Sequence, residues 1–308
     1  LAAEFPSVPE YPSMAAASHQ MLGDLRQLQP VVGEAEAEAS FRRAIVLREE
    51  LTALFPERID YRVDLATSYG NLGGVLAKLQ QYEQAEKALR QSADMWAALV
   101  AEYPGRSSYR SEQAFTLRSL GNALRSAQQY QEAEEAYRRS SRMWEALSTE
   151  FPDTLGYRHQ LSWSYRFLGA VLLKSQQYRE AEQVFRQSLD IWQALSAEFP
   201  DASGNQYRND LCSSYSALGY ALENLQRYSE AEEALRQSLE MREALAAQFP
   251  DDPYHRGRAA IGRFGLDLLL RRHSGSCTGD SWSRGMKRDA GSRASCTIPR
   301  RRISPPCA

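Results

Sequence analysis

Between Tyr157 and Pro200, apolar residues recur at steps of three and four, in two runs broken by the polar pair Gln176-Gln177. The first run is Tyr157, Leu161, Tyr165, Leu168 and Leu172, with Gly169 beside Leu168. The second is Tyr178, Ala181, Phe185, Trp192 and Leu195, with Ser188 on the same stripe. Such steps place side chains on one face of an α-helix, so the segment predicts two amphipathic helices folded back on each other, each with a face that needs covering. The arrangement returns along the chain. Phe-Pro or Tyr-Pro pairs fall at Phe5, Phe55, Tyr103, Phe151, Phe199 and Phe249, at intervals of 50, 48, 48, 48 and 50 residues. A stride this regular predicts an array of helix pairs, in which no unit buries its apolar face alone.

The central copies are the clearest. The second repeat carries Tyr61, Leu65, Tyr69, Leu72, Gly73, Leu76, Tyr82, Ala85, Leu89, Ser92, Trp96 and Leu99. In the first, His19, Leu22 and Gly23 keep the frame. Pro30 then ends a helix where the others turn, and two extra residues precede Ala37 and Phe41. The fifth keeps Gly219, Tyr228 and Ala231, with two extra residues near Gly204. Leu1 to Pro6 aligns with Leu195 to Pro200, so the chain begins in mid-repeat and without methionine, and an incomplete sequence or an alternative start is expected.

A bulky residue (His19, Tyr69, Leu117, Tyr165, Tyr215) precedes by three an L-G pair (Gly23, Gly73, Gly121, Gly169, Gly219). The second helix of each unit carries a small residue, Ala37, Ala85, Ala133, Ala181 or Ala231. This frame resembles the tetratricopeptide repeat. The resemblance implies an all-α fold, a right-handed α-α superhelix (solenoid) of antiparallel helix pairs over residues 1–256, with the first helices lining a groove for protein or peptide partners. The copies exceed the family's 34-residue unit, and the excess divides evenly between the helices, about two turns each. Long-helix arrays of this kind resemble those of kinesin light chains and those attached to bacterial serine/threonine kinases. A regulatory or targeting segment of a larger kinase is therefore a second expectation, with the catalytic domain upstream of Leu1.

Glycine inside a helix costs about 1 kcal/mol relative to alanine, so five at one position need a compensating reason. Close approach of the partner helix supplies it, with the alanine doing the same from the other side. Gln80-Gln81, Gln128-Gln129, Gln176-Gln177 and Gln226-Arg227 stand at the turn where the family prefers glycine, so that turn is expected to form at a local cost. Glu86/Arg90, Glu134/Arg138, Glu182/Arg186 and Glu232/Arg236 are four apart and predict a solvated outer face. Trp96, Trp144 and Trp192 are expected in the core. Arg48 and Arg242 replace them at the two ends, where units have fewer neighbours.

Composition changes this picture in few places. The net charge of −2 hides a split: from Gly257 onward there are 11 Lys and Arg against 3 Asp and Glu, leaving 26 basic and 36 acidic residues before it. The repeat vanishes near Gly257 as composition shifts toward Arg, Ser, Gly and Cys. A shifted reading frame and a disordered basic tail over 257–308 are expected, or else a short helix from Ala259 to Arg272 covering the open end. Arg271-Arg272 and Arg300 to Arg302 offer only salt-sensitive, nonspecific affinity for nucleic acid, so none is expected as a partner. No apolar run is long enough to span a membrane and no secretory signal is recognisable, which makes the cytoplasm the default location.

Catalysis finds no footing. Carboxylates recur at repeat-equivalent positions, and His19, His159, His255 and His273 have no nucleophile in a recognisable pattern. Cys212, Cys277, Cys296 and Cys307 match no zinc spacing, phosphate-binding and kinase signatures are missing, and no cofactor or small-molecule substrate is expected. Carried over by resemblance, the groove positions are Thr67, Gly70, Gly74 and Lys78; Phe115, Arg118, Asn122 and Arg125; Trp163, Arg166, Ala170 and Lys174; and Ser213, Ser216, Tyr220 and Asn224. The third and fourth repeats are basic and aromatic in an acidic array. The expected partner is thus an extended peptide that is acidic or ends in a carboxylate, met by Arg118, Arg125, Arg166 and Lys174. Arg118 and Asn122 match half of the family's carboxylate clamp, but Phe167 stands where the clamp has asparagine.

Overall fold

A computed structural model describes residues 9–27, 33–199 and 202–273. These form eleven helices: α1 Glu10–Gln27, α2 Gly33–Leu54, α3 Ile59–Lys78, α4 Tyr82–Glu102, α5 Ser107–Ser126, α6 Tyr130–Glu150, α7 Leu155–Lys174, α8 Tyr178–Glu198, α9 Ala202–Asn224, α10 Tyr228–Gln248 and α11 Pro253–His273. Each packs on the helix before and after it, and the central ones are 20 or 21 residues long. The expected Pro30 turn, the start at Leu1 and the tail from residue 274 lie outside the described residues. So do the side chains around Gly204.

The glycine of each first helix meets the large residue of its partner. A Cβ built on Gly169 would lie 2.5 Å from the Phe185 ring. The equivalent distances are 2.6 Å for Gly23 and Phe41, 2.4 Å for Gly73 and Leu89, 2.8 Å for Gly121 and Tyr137, and 2.8 Å for Gly219 and Leu235. Close approach is thus the reason for the glycine, as expected. The residue that fills the space is the ring or leucine four positions after the alanine, while the alanines themselves are fully buried.

At the turn inside each pair, Gln80, Gln128, Gln176 and Gln226 adopt φ of 60°, 64°, 60° and 59°. This is the left-handed region, and it ends the first helix in a paired capping motif. Gln80 N–H donates to the Ala77 carbonyl (3.1 Å) and Gln81 N–H to that of Leu76 (2.8 Å), with the same pair at the other three turns. The expected local cost is the steric one of an L side chain at positive φ. The next residue has a use of its own: Gln177 Nε2 donates to Glu134 Oε2 (2.8 Å) and Arg227 to Glu182 (2.7 Å), tying the turn to the preceding repeat.

At the turn between pairs, three rings clasp the junction. Phe151 packs edge-on against Tyr157 at 6.0 Å between centroids, and Trp144 tilts onto the same tyrosine at 5.8 Å. Trp96 and Tyr103 meet on Tyr109, and Trp192 and Phe199 on Tyr207. The three tryptophans are 2%, 3% and 0% exposed, so they are core. Between the helices runs a row of buried serines: Ser140 donates to the Ala114 carbonyl and meets Ser164, and Ser188 donates to the Ser162 carbonyl and meets Ser214.

Two expectations about the ends are corrected. Arg48 and Arg242 are 5% and 6% exposed, as buried as the tryptophans they replace. Arg48 is held by polar neighbours rather than freed by missing ones: it donates to Gln20 Oε1 (2.9 Å), the Asp64 carbonyl (3.1 Å) and the Ser68 hydroxyl. Past Gly257 the helix is found and not the disorder, since α11 runs to His273 and contains the alternative segment from Ala259 to Arg272. Its buried Ala259, Leu266 and Leu269 take the places that Leu161, Leu168 and Val171 hold in α7, so part of the frame survives there. Gly262 lets this helix close on α10, since a Cβ there would lie 3.3 Å from both Arg242 and Leu239.

Gly169→Leu should lower stability by about 1–3 kcal/mol through overpacking against Phe185, read as the urea midpoint by circular dichroism. Gln128→Gly should raise it by about 0.5–1 kcal/mol by removing the strained side chain at positive φ.

Candidate functional site

The odd-numbered helices approach one another directly, α3 on α5, α5 on α7 and α7 on α9. Helices closest to their next-but-one neighbours lie on the inner side of a curved stack, so this surface is the groove. On α3 it is open: nothing lies within 4 Å of a Cβ placed on Gly74. On α5 and α7 it is charged and aromatic.

Arg118 lies over the Phe115 ring at 5.0 Å, and Arg166 lies over both Trp163 (4.6 Å) and Phe167 (4.9 Å), whose rings meet at 5.4 Å. Phe167 stacks on Tyr137 at 5.8 Å, and the Tyr137 hydroxyl donates to Asn122 Oδ1 at 2.7 Å. Arg125 bears on the same hydroxyl. Arg118, Arg125 and Arg166 therefore converge around one phenol that reaches in from α6. Asn122 is corrected from a free groove group to one whose oxygen is engaged. Phe167 belongs to the stack, so the carboxylate clamp of the family is not reproduced.

Burial pushes Arg118 down to about 10, with Tyr137 working against the shift and Arg166 adding to it. Burial also lowers Arg166, opposed by Asp210 and reinforced by Arg258 and Arg125. Tyr137 is pushed up to about 12 by burial while all three arginines pull it back. His159, against Trp192 at 5.1 Å, is lowered by burial and by Arg118. The buried Nε atoms of Arg118, Arg125 and Arg166 have no hydrogen-bond partner. Among the described residues, no carboxylate lies within 4 Å of these three guanidinium groups. A counter-charge acts on Arg166 from Asp210, 9% exposed, which burial raises to about 6 against the pull of Arg166 and Arg258.

The other expected positions fall at the margins. Lys174 is exposed at the end of α7. Tyr220 leans toward α11, its hydroxyl 3.2 Å from where a Cβ on Gly265 would be, and Ser213 accepts from Arg258 at 2.7 Å. Tyr137, Asp210 and Arg258 went unread in the sequence. Tyr137 counts there as a frame residue of the second helix, and Asp210 and Arg258 stand five residues before the frame's bulky position.

On the outer surface arginines are paired. Glu86–Arg90 (3.0 Å), Glu134–Arg138 (2.7 Å), Glu182–Arg186 (2.8 Å) and Glu232–Arg236 (2.6 Å) form as expected. The first and second helices of three repeats are also joined, by Arg62–Glu102 (2.6 Å), Arg110–Glu150 (2.6 Å) and Arg158–Glu198 (2.9 Å). A cavity of about 730 Å³ between α8, α9 and α10 holds Arg186 and Glu230, themselves 3.7 Å apart. Among the described residues, no group of His, Cys, Asp and Glu could hold a metal, and no helix is long and apolar enough to cross a membrane.

A family profile described as tetratricopeptide repeat matches residues 64–146, and a second of the same description matches 154–201 and 211–254, together more than half of the chain. The chain belongs to the tetratricopeptide repeat family. No curated protein matches it. Among solved structures, the apo form of RapI is similar with a TM-score of 0.57 at 14% identity, over 85% of this chain and 84% of that one. BtubC (BKLC) from P. vanneervenii has a TM-score of 0.50 at 14% identity, over 88% of this chain and 100% of that one. A kinesin light chain-like protein from Podosopora anserina, with nearly identical TPR-like repeats, has a TM-score of 0.47 at 20% identity, covering 77% and 97%. The tetratricopeptide array is the all-α superhelix expected from the repeat.

Asp210 has a folded pKa above its ordinary value, so its contribution to stability is full below pH 3.8 and lost as pH rises through about 6. Asp210→Asn should match the wild type at low pH and exceed it above that window, measured as urea midpoints across the pH range.

Proposed function

We propose that the array is a non-catalytic scaffold whose inner face binds an extended peptide that is acidic or ends in a free carboxylate. Tetratricopeptide repeats serve generally as protein-interaction scaffolds, and the chemistry of this groove supports an anionic partner. The observation that carries the reading is the contrast between the two surfaces. Outside, arginines are met by glutamates at 2.6 to 3.0 Å. Inside, Arg118, Arg125 and Arg166 are half-buried, and among the described residues no carboxylate lies within 4 Å of them. Buried cations of like sign repel one another and have lost hydration, so an incoming carboxylate recovers what the fold leaves uncompensated. Phe115, 48% exposed, adds apolar area beside the charge, and Lys174 extends the positive strip.

A fluorescein-labelled glutamate-rich peptide should bind the full chain more tightly than its lysine-rich counterpart, and the affinity should fall with salt. In Arg118→Glu/Arg166→Glu the affinity should drop by at least about ten-fold, equivalent to 1.4 kcal/mol, with unchanged helicity by circular dichroism. Equal binding of both peptides, or undiminished affinity in the double variant, would remove the groove reading.

A further inference from the structure

We propose that Arg118, Arg125 and Arg166 form a pocket for a phosphate monoester, carried by a phosphorylated residue of the peptide that the groove binds. The inference rests on the peptide-binding reading and asks which anion the peptide presents.

Three observations favour phosphate over carboxylate. The first is charge. Three guanidinium groups act together on the Tyr137 hydroxyl, and the charges of Arg118 and Arg166 are each disfavoured by another arginine, Arg166 in the first case and Arg125 in the second. A carboxylate brings one negative charge to this cluster; a phosphate monoester brings close to two near neutral pH. The second is the number of donors. Beside the three guanidinium groups stands Asn122 on the same face of α5, and with its oxygen taken by Tyr137 it retains its amide hydrogens. A monoester offers three oxygens with several acceptor directions, whereas a carboxylate offers two in one plane.

The third is the setting of Arg166. Its carbon lies 4.6 Å from the Trp163 ring and 4.9 Å from the Phe167 ring, two rings whose centroids are 5.4 Å apart, so both flank it from one side. A planar guanidinium seated on rings in this way loses less freedom on forming paired hydrogen bonds to an anion. Tyr137 is itself pinned, by stacking on Phe167 and by its bond to Asn122, so the floor of the pocket is fixed before any ligand arrives. Asp210, the counter-charge to Arg166, sits to the α9 side beside Arg258, and among the described residues no ion pair forms at Arg118 or Arg125.

The test uses immobilised full-length chain and three degenerate peptide libraries with random flanks around a fixed phosphoserine, serine or glutamate. The phosphoserine library should be retained at least about ten-fold over serine and several-fold over glutamate, and inorganic phosphate should elute it at concentrations where acetate does not. Arg166→Lys, which keeps the charge without the fork, should lose most of the preference for phosphoserine over glutamate while retaining binding to both. Arg118→Gln/Arg166→Gln should lose the preference with an unchanged thermal melt. Equal retention of the glutamate and phosphoserine libraries would overturn the phosphate assignment and leave acidic-peptide binding standing. Retention of neither would overturn both. A single-stranded oligonucleotide that displaces the phosphoserine library more effectively than inorganic phosphate would overturn it in favour of nucleic acid.

Discussion

Everything in this array hangs on how near two helices of one pair can come. A glycine on the first helix leaves a hole the size of a side chain, and a phenylalanine, tyrosine or leucine from the second enters it, within 2.4 to 2.8 Å of the missing Cβ. This contact sets the separation and rotation of the pair. Those in turn decide which positions of the first helix face inward and which the next repeat covers. Because the fit is made by whole side chains packed at crystal-like density, each pair is rigid. The groove is then a consequence of stacking rigid pairs, and its chemistry depends on what the inward positions carry.

The stack is held at three levels whose energetics differ. Rings clasp the junction between repeats, with Trp144, Phe151 and Tyr157 as the pattern, and they bury the largest area. Serines inside the stack, such as Ser140 and Ser188, find acceptors for their buried hydroxyls in the carbonyls of the neighbouring helix, which prevents a penalty more than it adds stability. Outer ion pairs are exposed and contribute little singly. Several of them nevertheless link one repeat to the next, as Arg138 does between Glu134 and Glu180, and so restrain the relative rotation of neighbouring pairs.

How much of this could be read from residues alone follows from the range of each interaction. Helix pairs, their length, the buried tryptophans and the glycine contact were legible because a fixed spacing along one helix decides them. The left-handed glutamines were legible as a cost, since a turn of that length needs a positive φ whichever residue occupies it. The burial of Arg48 was not, because it depends on Gln20 and Ser68 arriving from two other helices. Helix α11 was legible only as one of two alternatives, because Asp267 replaces the glycine and Arg263 the bulky residue, so only the buried positions keep the pattern. At the groove, the cations were visible at their repeat positions. Their convergence on Tyr137, and the placing of Asp210 beside Arg166, required the angle between α5, α7 and α9.

Three half-buried guanidinium groups around one phenol are a poor choice for stability, and their position in the array explains how they persist. In a solenoid, stability is close to a sum of repeat terms and nearest-neighbour interfaces, so a repeat covered on both sides draws on two interfaces and an end repeat on one. Arg118 and Arg125 lie on α5 and Arg166 on α7, in the third and fourth repeats, each with intact glycine contacts and ring clasps on both flanks. Toward either end of the described stack, Arg48 has donors and acceptors around it, whereas Arg242 has the like charge of Arg258 beside it. The third and fourth repeats thus carry their cluster of like charges where packing on both flanks offsets a local destabilisation.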